Sequence, residues 1–164
     1  MNYPENFKTE ESKLLFLKSE EIVELVAEIV ALIPEDNEML NEIAAFMRGD
    51  SYLMQVKIVG AEAGNLYDIR MECAALIRKA GRDLYLSKHS LSMFDFEYVS
   101  YTELLRDKID EFKALFKAWN LTFNPHHGIK DDWGLFNPPG IELPDLDEDS
   151  SFDSDDFLDD FDDT

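Results

Sequence analysis

SYLMQVKIVGAEAGNLYDIRMECAALIRKAGRDLYLS, residues 51–87, decides the fold class. Tyr52, Val56, Val59, Ala63, Leu66, Arg70, Cys73, Ile77, Ala80 and Leu84 recur at alternating spacings of four and three. A repeat of about 3.5 residues keeps one face of a helix turned toward a neighbour. The stretch therefore predicts one long helix over about 51–87, with Arg70 as a polar intruder in its seam. Gly60, Ala63, Gly64, Ala74 and Ala75 are small enough to admit a second helix at close range. Gly64 and Gly81 each cost about 1 kcal/mol against Ala in a helix interior, so both are expected to be retained by packing.

Helical signals continue on both sides. Upstream, Ile22, Val26, Ile29 and Ile33 form a stripe widened by Leu15, Leu25 and Val30, while Glu21, Glu24 and Glu28 fall on a different, wet face. Thr9 before Glu10 and Glu11 suits a helix start, and Pro34 suits a stop, so a helix is predicted over about 10–33. A short second helix is predicted over about 35–48, with Met39, Leu40, Ile43 and Phe46–Met47 as its apolar residues. Arg48-Gly49-Asp50 reads as a stop and restart: Gly49 tolerates a left-handed cap and Asp50 can cap the next helix. An integrin-recognition reading of that tripeptide does not suit a reduced cytoplasmic chain.

Downstream, HSLSMFDFEYV (89–99) reads as a loop with buried aromatics. SYTE (100–103) has the pattern of a capping box, opening a fourth helix over about 101–121. In that helix Tyr101, Leu105, Phe112, Leu115, Phe116 and Trp119 are expected to face inward. The segment HHGIKDDWGLFNPPGIELP (126–144) cannot continue a helix through its prolines. It is expected to be an irregular strap docking Trp133, Leu135 and Phe136 on the bundle. The predicted architecture is an all-α up-down bundle of three long helices and one short one at 1–123, a strap at 124–144 and a disordered acidic-aromatic tail at 145–164. No internal repeat is visible.

The charge divides in the same way. The 164 residues carry a net −21. Residues 142–164 hold twelve of the 36 acids and no Lys or Arg, which leaves the rest with 24 acids against 15 bases, a net −9. Such a charge disfavours bare nucleic acid and anionic membranes and favours cationic partners. The N-terminus has acids where a secretory signal needs bases, and no apolar run is long enough to span a bilayer. Cys73 has no second cysteine with which to form an internal disulfide. A cytoplasmic location is expected, with no membrane contact, and Cys73 is expected to pack as a small hydrophobe.

KIVGAEAGNLYDIRMECAALIRKA (57–80) and DWGLFNPPG (132–140) resemble stretches of small bacterial helical-bundle proteins, a group without an assigned activity. The resemblance implies a bundle with an acidic C-terminal tail and carries over no catalytic residue.

Arg70 is the most telling polar residue of the body. Its i±3 and i±4 neighbours are Leu66, Tyr67, Cys73 and Ala74, none of them acidic. A buried ion pair with a carboxylate from elsewhere is expected, Glu24 and Glu28 of the first helix being the best placed. Weaker alternatives are a site for a small anion and a side chain snorkelling to water. Glu62, Asn65 and Glu72 flank the same seam. A di-metal bundle site would need Glu-x-x-His pairs, which do not occur here. His126 and His127 read as a surface loop, and no cofactor or metal is expected.

Arg78, Arg82, Tyr85 and His89 share one helix face, with Lys79 and Lys88 beside them. The face reads as a solvated basic patch or as a docking site for acid. RDLYLSKH (82–89) also resembles the Arg-x(4–6)-His motif of the helical HEPN ribonucleases. That resemblance implies an enzyme in which Arg82 and His89 act on an RNA phosphodiester and the tail occludes them.

The tail, DLDEDSSFDSDDFLDDFDDT (145–164), holds eleven carboxylates with Phe152, Phe157, Leu158 and Phe161 among them. Asp145, Asp147, Asp149, Asp153 and Asp156 approach calcium-loop spacing, but Ser150 stands where the turn needs Gly, and Asp156 where a longer Glu chelates best. Self-repulsion and ordering entropy oppose a fold for the tail alone. Phe157, Leu158 and Phe161 would share a face of a short helix once the charge was neutralised. Carboxylates that steer and aromatics that anchor suit a groove with a basic rim. The leading expectation is a non-enzymatic interaction or regulatory protein. Its Phe152, Asp155, Asp156, Phe157, Leu158, Asp159, Asp160 and Phe161 dock on a basic protein surface or on its own basic face. A structural homo-oligomer joined through Gly60 and Gly64 is a further alternative.

Overall fold

The computed structural model describes residues 7–146, and these form an all-α up-down bundle followed by an irregular segment. The helices are α1 (Glu10–Val30), α2 (Glu38–Gly64), α3 (Tyr67–Met93) and α4 (Thr102–Asn120), with a single 3-10 turn at Val99–Tyr101 before α4. Helices α1 and α3 each pack between α2 and α4, and the α3–α4 contact is the thinnest of the four.

Two helix starts are set by side-chain caps. Thr9 Oγ1 accepts from the Ser12 amide at 3.2 Å, and Asn37 Oδ1 accepts from the Leu40 amide at 3.1 Å. Each satisfies one of the amides that a helix start leaves without a partner. The predicted capping box does not form. Ser100 lies in the 3-10 turn, and Thr102 Oγ1 instead donates to the Val99 carbonyl at 2.5 Å.

The second and third helices differ from expectation. The chain stays helical through Arg48-Gly49-Asp50, so the short helix expected over 35–48 does not form, and the four helices of the described residues are all long. Gly49 sits in open space, and its intrinsic penalty of about 1 kcal/mol is outweighed by burial of Met47, Ser51 and Met54 on either side. The break falls at Asn65, in the left-handed region with φ 53°. Asn tolerates that conformation because its short polar side chain can bond locally. Gly64 therefore ends α2, with no atom within 4 Å of where a Cβ would stand, and packing does not retain it. At Gly81 a Cβ would lie 3.5 Å from Met54 Cε, an ordinary van der Waals contact, so packing does not require glycine there either.

The break also changes the seam. In α3 the buried line is Arg70, Cys73, Ile77, Ala80, Leu84, Ser87 and Leu91, as counted from the sequence and extended by two turns. In α2 it is Leu40, Ala44, Met47, Ser51, Met54, Ile58 and Ala61. Tyr52 and Val56, expected in that seam, are 55% and 62% exposed. Met39 and Phe46 also face solvent, as does Tyr101 beside α4. The α1 stripe is buried as expected except for Leu25, which is half-buried, and Leu105, Phe112 and Trp119 of α4 close the core.

The segment after α4 is pinned at its base. Phe123 packs edge-on against Trp119 at 4.7 Å between ring centroids. The Tyr67 amide donates to the His127 carbonyl at 2.8 Å, and the Lys130 amide to the Pro144 carbonyl at 2.9 Å. Its tip contradicts the docking expectation: Trp133 is 95% exposed and Leu135 73%, with only Phe136 half-buried. Asp131 explains the reversal. Its carboxylate accepts from the amides of Trp133, Leu135 and Phe136 at 2.8–2.9 Å, while Asn137 bonds Asp131 through both backbone groups. The loop satisfies itself and holds its apolar side chains outward. Among the described residues no helix is long and apolar enough to cross a membrane.

Candidate interaction site

The thin α3–α4 contact leaves a groove of about 310 Å³. Its floor is apolar, made by Ile77 of α3 and by Ile109, Phe112 and Phe116 of α4. Phe112 and Phe116 stack one turn apart, with centroids 6.3 Å apart. Arg78 and Arg82 of α3 and Lys113 of α4 form its rim. The sequence brought Arg78, Arg82 and His89 onto one face; the structure places the two arginines on the groove and leaves His89 exposed beyond it.

Tyr85 organises one end. Arg106 lies over its ring at 4.7 Å and donates Nε to its carbonyl at 3.0 Å, while Lys113 Nζ stands 4.7 Å from the same ring. The neighbouring cations are engaged with acids: Lys79 with Asp83, Lys113 with Asp110, and Lys88 and Arg106 with Glu103. The Lys88 contact holds the Glu103 carboxyl below its ordinary range. Arg78 and Arg82 form no ion pair among the described residues. The groove thus offers an apolar floor beside two uncommitted guanidiniums, which bond carboxylates in a planar fork.

Arg70 is buried in an ion pair, as expected, but not with Glu24 or Glu28, which face solvent on α1. Its partner is Glu62, at 2.6 Å, and the two residues are 6% and 5% exposed. Glu62 Oε1 also accepts from Trp119 Nε1 at 2.8 Å, and Asn65 Oδ1 accepts from Arg70 Nη1 at 3.1 Å. The guanidinium lies 4.3 Å from the Phe123 ring centroid. The cluster joins α2, α3, α4 and the turn that follows α4. Eight residues separate Glu62 from Arg70, and the α2–α3 break, absent from the helical count, brings them together. The legible signal was Trp119, whose indole N–H needs an acceptor wherever it is buried.

Cys73 is buried, and burial pushes its thiol up, away from the reactive thiolate. Gly60 faces Cys73 Sγ within the same chain. Among the described residues no three His, Cys, Asp or Glu side chains converge on a point where a metal could sit. Phe152, Asp155, Asp156, Phe157, Leu158, Asp159, Asp160 and Phe161, and the calcium-like spacing from Asp147 onward, lie outside the described residues.

The chain matches no family model, no curated protein and no solved structure.

Proposed function

We propose that this chain is an interaction protein whose α3–α4 groove receives an acidic-aromatic segment. Its own residues 152–161 are the resident occupant, exchangeable with a basic surface on a partner. The observation that carries the reading is the pairing of an apolar floor with Arg78 and Arg82, two rim guanidiniums without a carboxylate among the described residues. Phe157, Leu158 and Phe161 supply the apolar side chains for such a floor. Asp155, Asp156, Asp159 and Asp160 supply the carboxylates for such a rim.

The reach supports it. Lys130 holds Asp145 at 3.2 Å, and Gly128 lies against both Tyr67 and Leu143, so the chain leaves the body near the start of α3. Gly81 lies about 21 Å along α3 from Tyr67, at about 1.5 Å per residue. Phe157 stands eleven residues beyond Leu146 and spans up to about 36 Å extended. The energetics support exchange rather than permanent closure. Each buried apolar side chain contributes about 1.5–3 kcal/mol, close to the roughly 1–2 kcal/mol per residue that ordering the backbone costs. Charge pairing and the millimolar effective concentration of a tethered segment then decide occupancy, and the charge pairing makes it salt-sensitive.

The test is methyl NMR of Ile77 and Ile109 in the intact chain. The variant Phe157→Ala/Leu158→Ala/Phe161→Ala, the variant Arg78→Glu/Arg82→Glu and high salt should each move those methyls toward a common, unoccupied position. Identical spectra in the intact chain and the Phe/Leu variant would remove the proposal.

A further inference from the structure

A second cleft lies at the start of α3, away from the groove. The Asp131-tied loop holds Trp133 almost wholly in solvent, and the bundle has no packing use for that ring. Trp133 and Leu135 face Asp68, Ile69 and Glu72 of α3 across a cleft of about 410 Å³. Asp131 also borders it, but its carboxylate is consumed by three backbone amides, led by Phe136, which hold it below its ordinary range. Asp68 and Glu72 form no ion pair among the described residues. Asp68 Oδ1 is withdrawn from solvent and has no hydrogen-bond partner. A buried acceptor left without a donor is costly and uncommon.

We propose that this cleft binds an arginine side chain from a basic polypeptide segment. An anionic ligand is repelled by Asp68 and Glu72. A metal ion finds no set of three ligands there among the described residues. A guanidinium suits the cleft: it stacks on the exposed indole, donates to the exposed Glu72 and is attracted by the Asp68 carboxylate beside it, and lays its methylenes on Ile69 and Leu135. A lysine ammonium is more strongly hydrated and lacks the planar fork, so it uses the carboxylates but stacks poorly. The site needs nothing from the groove and stands whether or not the tail occupies it.

The experiment titrates the intact chain with the blocked tripeptide Gly-Arg-Gly and its Gly-Lys-Gly counterpart. The amides of Ile69, Glu72 and Leu135 are followed by NMR. The arginine tripeptide should shift those amides saturably, leave the buried Trp119 indole unmoved, and bind about tenfold more tightly than the lysine tripeptide. Trp133→Ala removes a ring that the fold does not use, and Glu72→Gln removes one exposed charge. Each should weaken the arginine tripeptide by about tenfold. Equal binding of the two tripeptides, undiminished binding by Trp133→Ala, or no saturable shift at these amides would overturn the proposal. The first two outcomes would leave only diffuse attraction to a chain of net −21.

Discussion

Replacing Glu62 by Leu strands two donors in the core. Arg70 loses the carboxylate at 2.6 Å, and the Trp119 indole loses its acceptor at 2.8 Å. Both residues lie at or below 6% exposure, so water cannot take over without opening the α2–α3–α4 junction. A buried charge deprived of its partner costs about 3–5 kcal/mol, and a bare indole N–H adds to that within the usual penalty of about 1–3 kcal/mol. The apolar atoms gained return a part, so about 4 kcal/mol of destabilisation is expected for Glu62→Leu. At about 3 °C per kcal/mol for a chain of this size, Tm falls by about 12 °C. Arg70→Met leaves Glu62 charged with only the indole for company, and should lose a similar amount. The double variant Glu62→Leu/Arg70→Met buries no charge and should recover most of the loss, to within about 2 kcal/mol of the parent. Urea denaturation followed by circular dichroism measures all four proteins, provided the m-values agree. If either single variant stays within about 1 kcal/mol of the parent, or if the double variant loses the sum of the two singles, the buried-charge argument is wrong.

Acid should loosen the α1–α4 face. Lys108 and then Lys18 bond Glu21 and hold its carboxyl below the ordinary value of 4.5, and Lys18 does the same to Glu111. Carboxylates depressed on folding contribute stability that is present above the ordinary value and lost as pH falls through the lowered one. Tm should therefore drop more steeply below pH 4.5 in the parent than in Lys18→Met, and added salt should shrink the difference, since these carboxylates are largely exposed. At the other end, Asp131→Ala should raise hydrogen exchange at the amides of Trp133, Leu135 and Phe136 while leaving the helices as protected as before. Unchanged exchange at those three positions would show that the loop is held by something else.

The helices were legible because α1, α3 and α4 repeat their apolar residues with helical period. The phase of α2 was not. Its core line passes through Ser51 and Ala61, while the neighbouring line carries Tyr52 and Val56. Counting by hydrophobicity favours the larger side chains, whereas the line that α2 buries mixes small residues (Ala44, Ser51, Ala61) with large ones, Met54 among them seated against Gly81 of α3. Running one register through Gly64–Asn65 then carried the α3 phase into α2, where it does not belong. The same turn hides the partner of Arg70 from a helical count, because Glu62 is close only if the chain turns at Asn65. The basic residues of the groove were legible as a face of α3, but their apolar floor comes from α4, and no local pattern announces which two helices will stand apart. Apolarity alone predicts that Trp133 docks on the bundle. Asp131 decides otherwise through three backbone amides, and composition does not report where an amide points.

The two-residue joint between α2 and α3 bears on the order of assembly. These helices share the most extensive contact in the bundle and are neighbours in sequence, so little chain entropy opposes their meeting. The α1–α4 face is the reverse case, tied by Lys18 to Glu111 and Lys108 to Glu21 across 93 and 87 positions. A nascent chain can form the central hairpin as soon as both halves exist and can lay α1 on α2, but it cannot complete the α1–α4 face until α4 has been made. Until then the side of α1 that meets α4 stays open, and with it apolar surface that other proteins can capture.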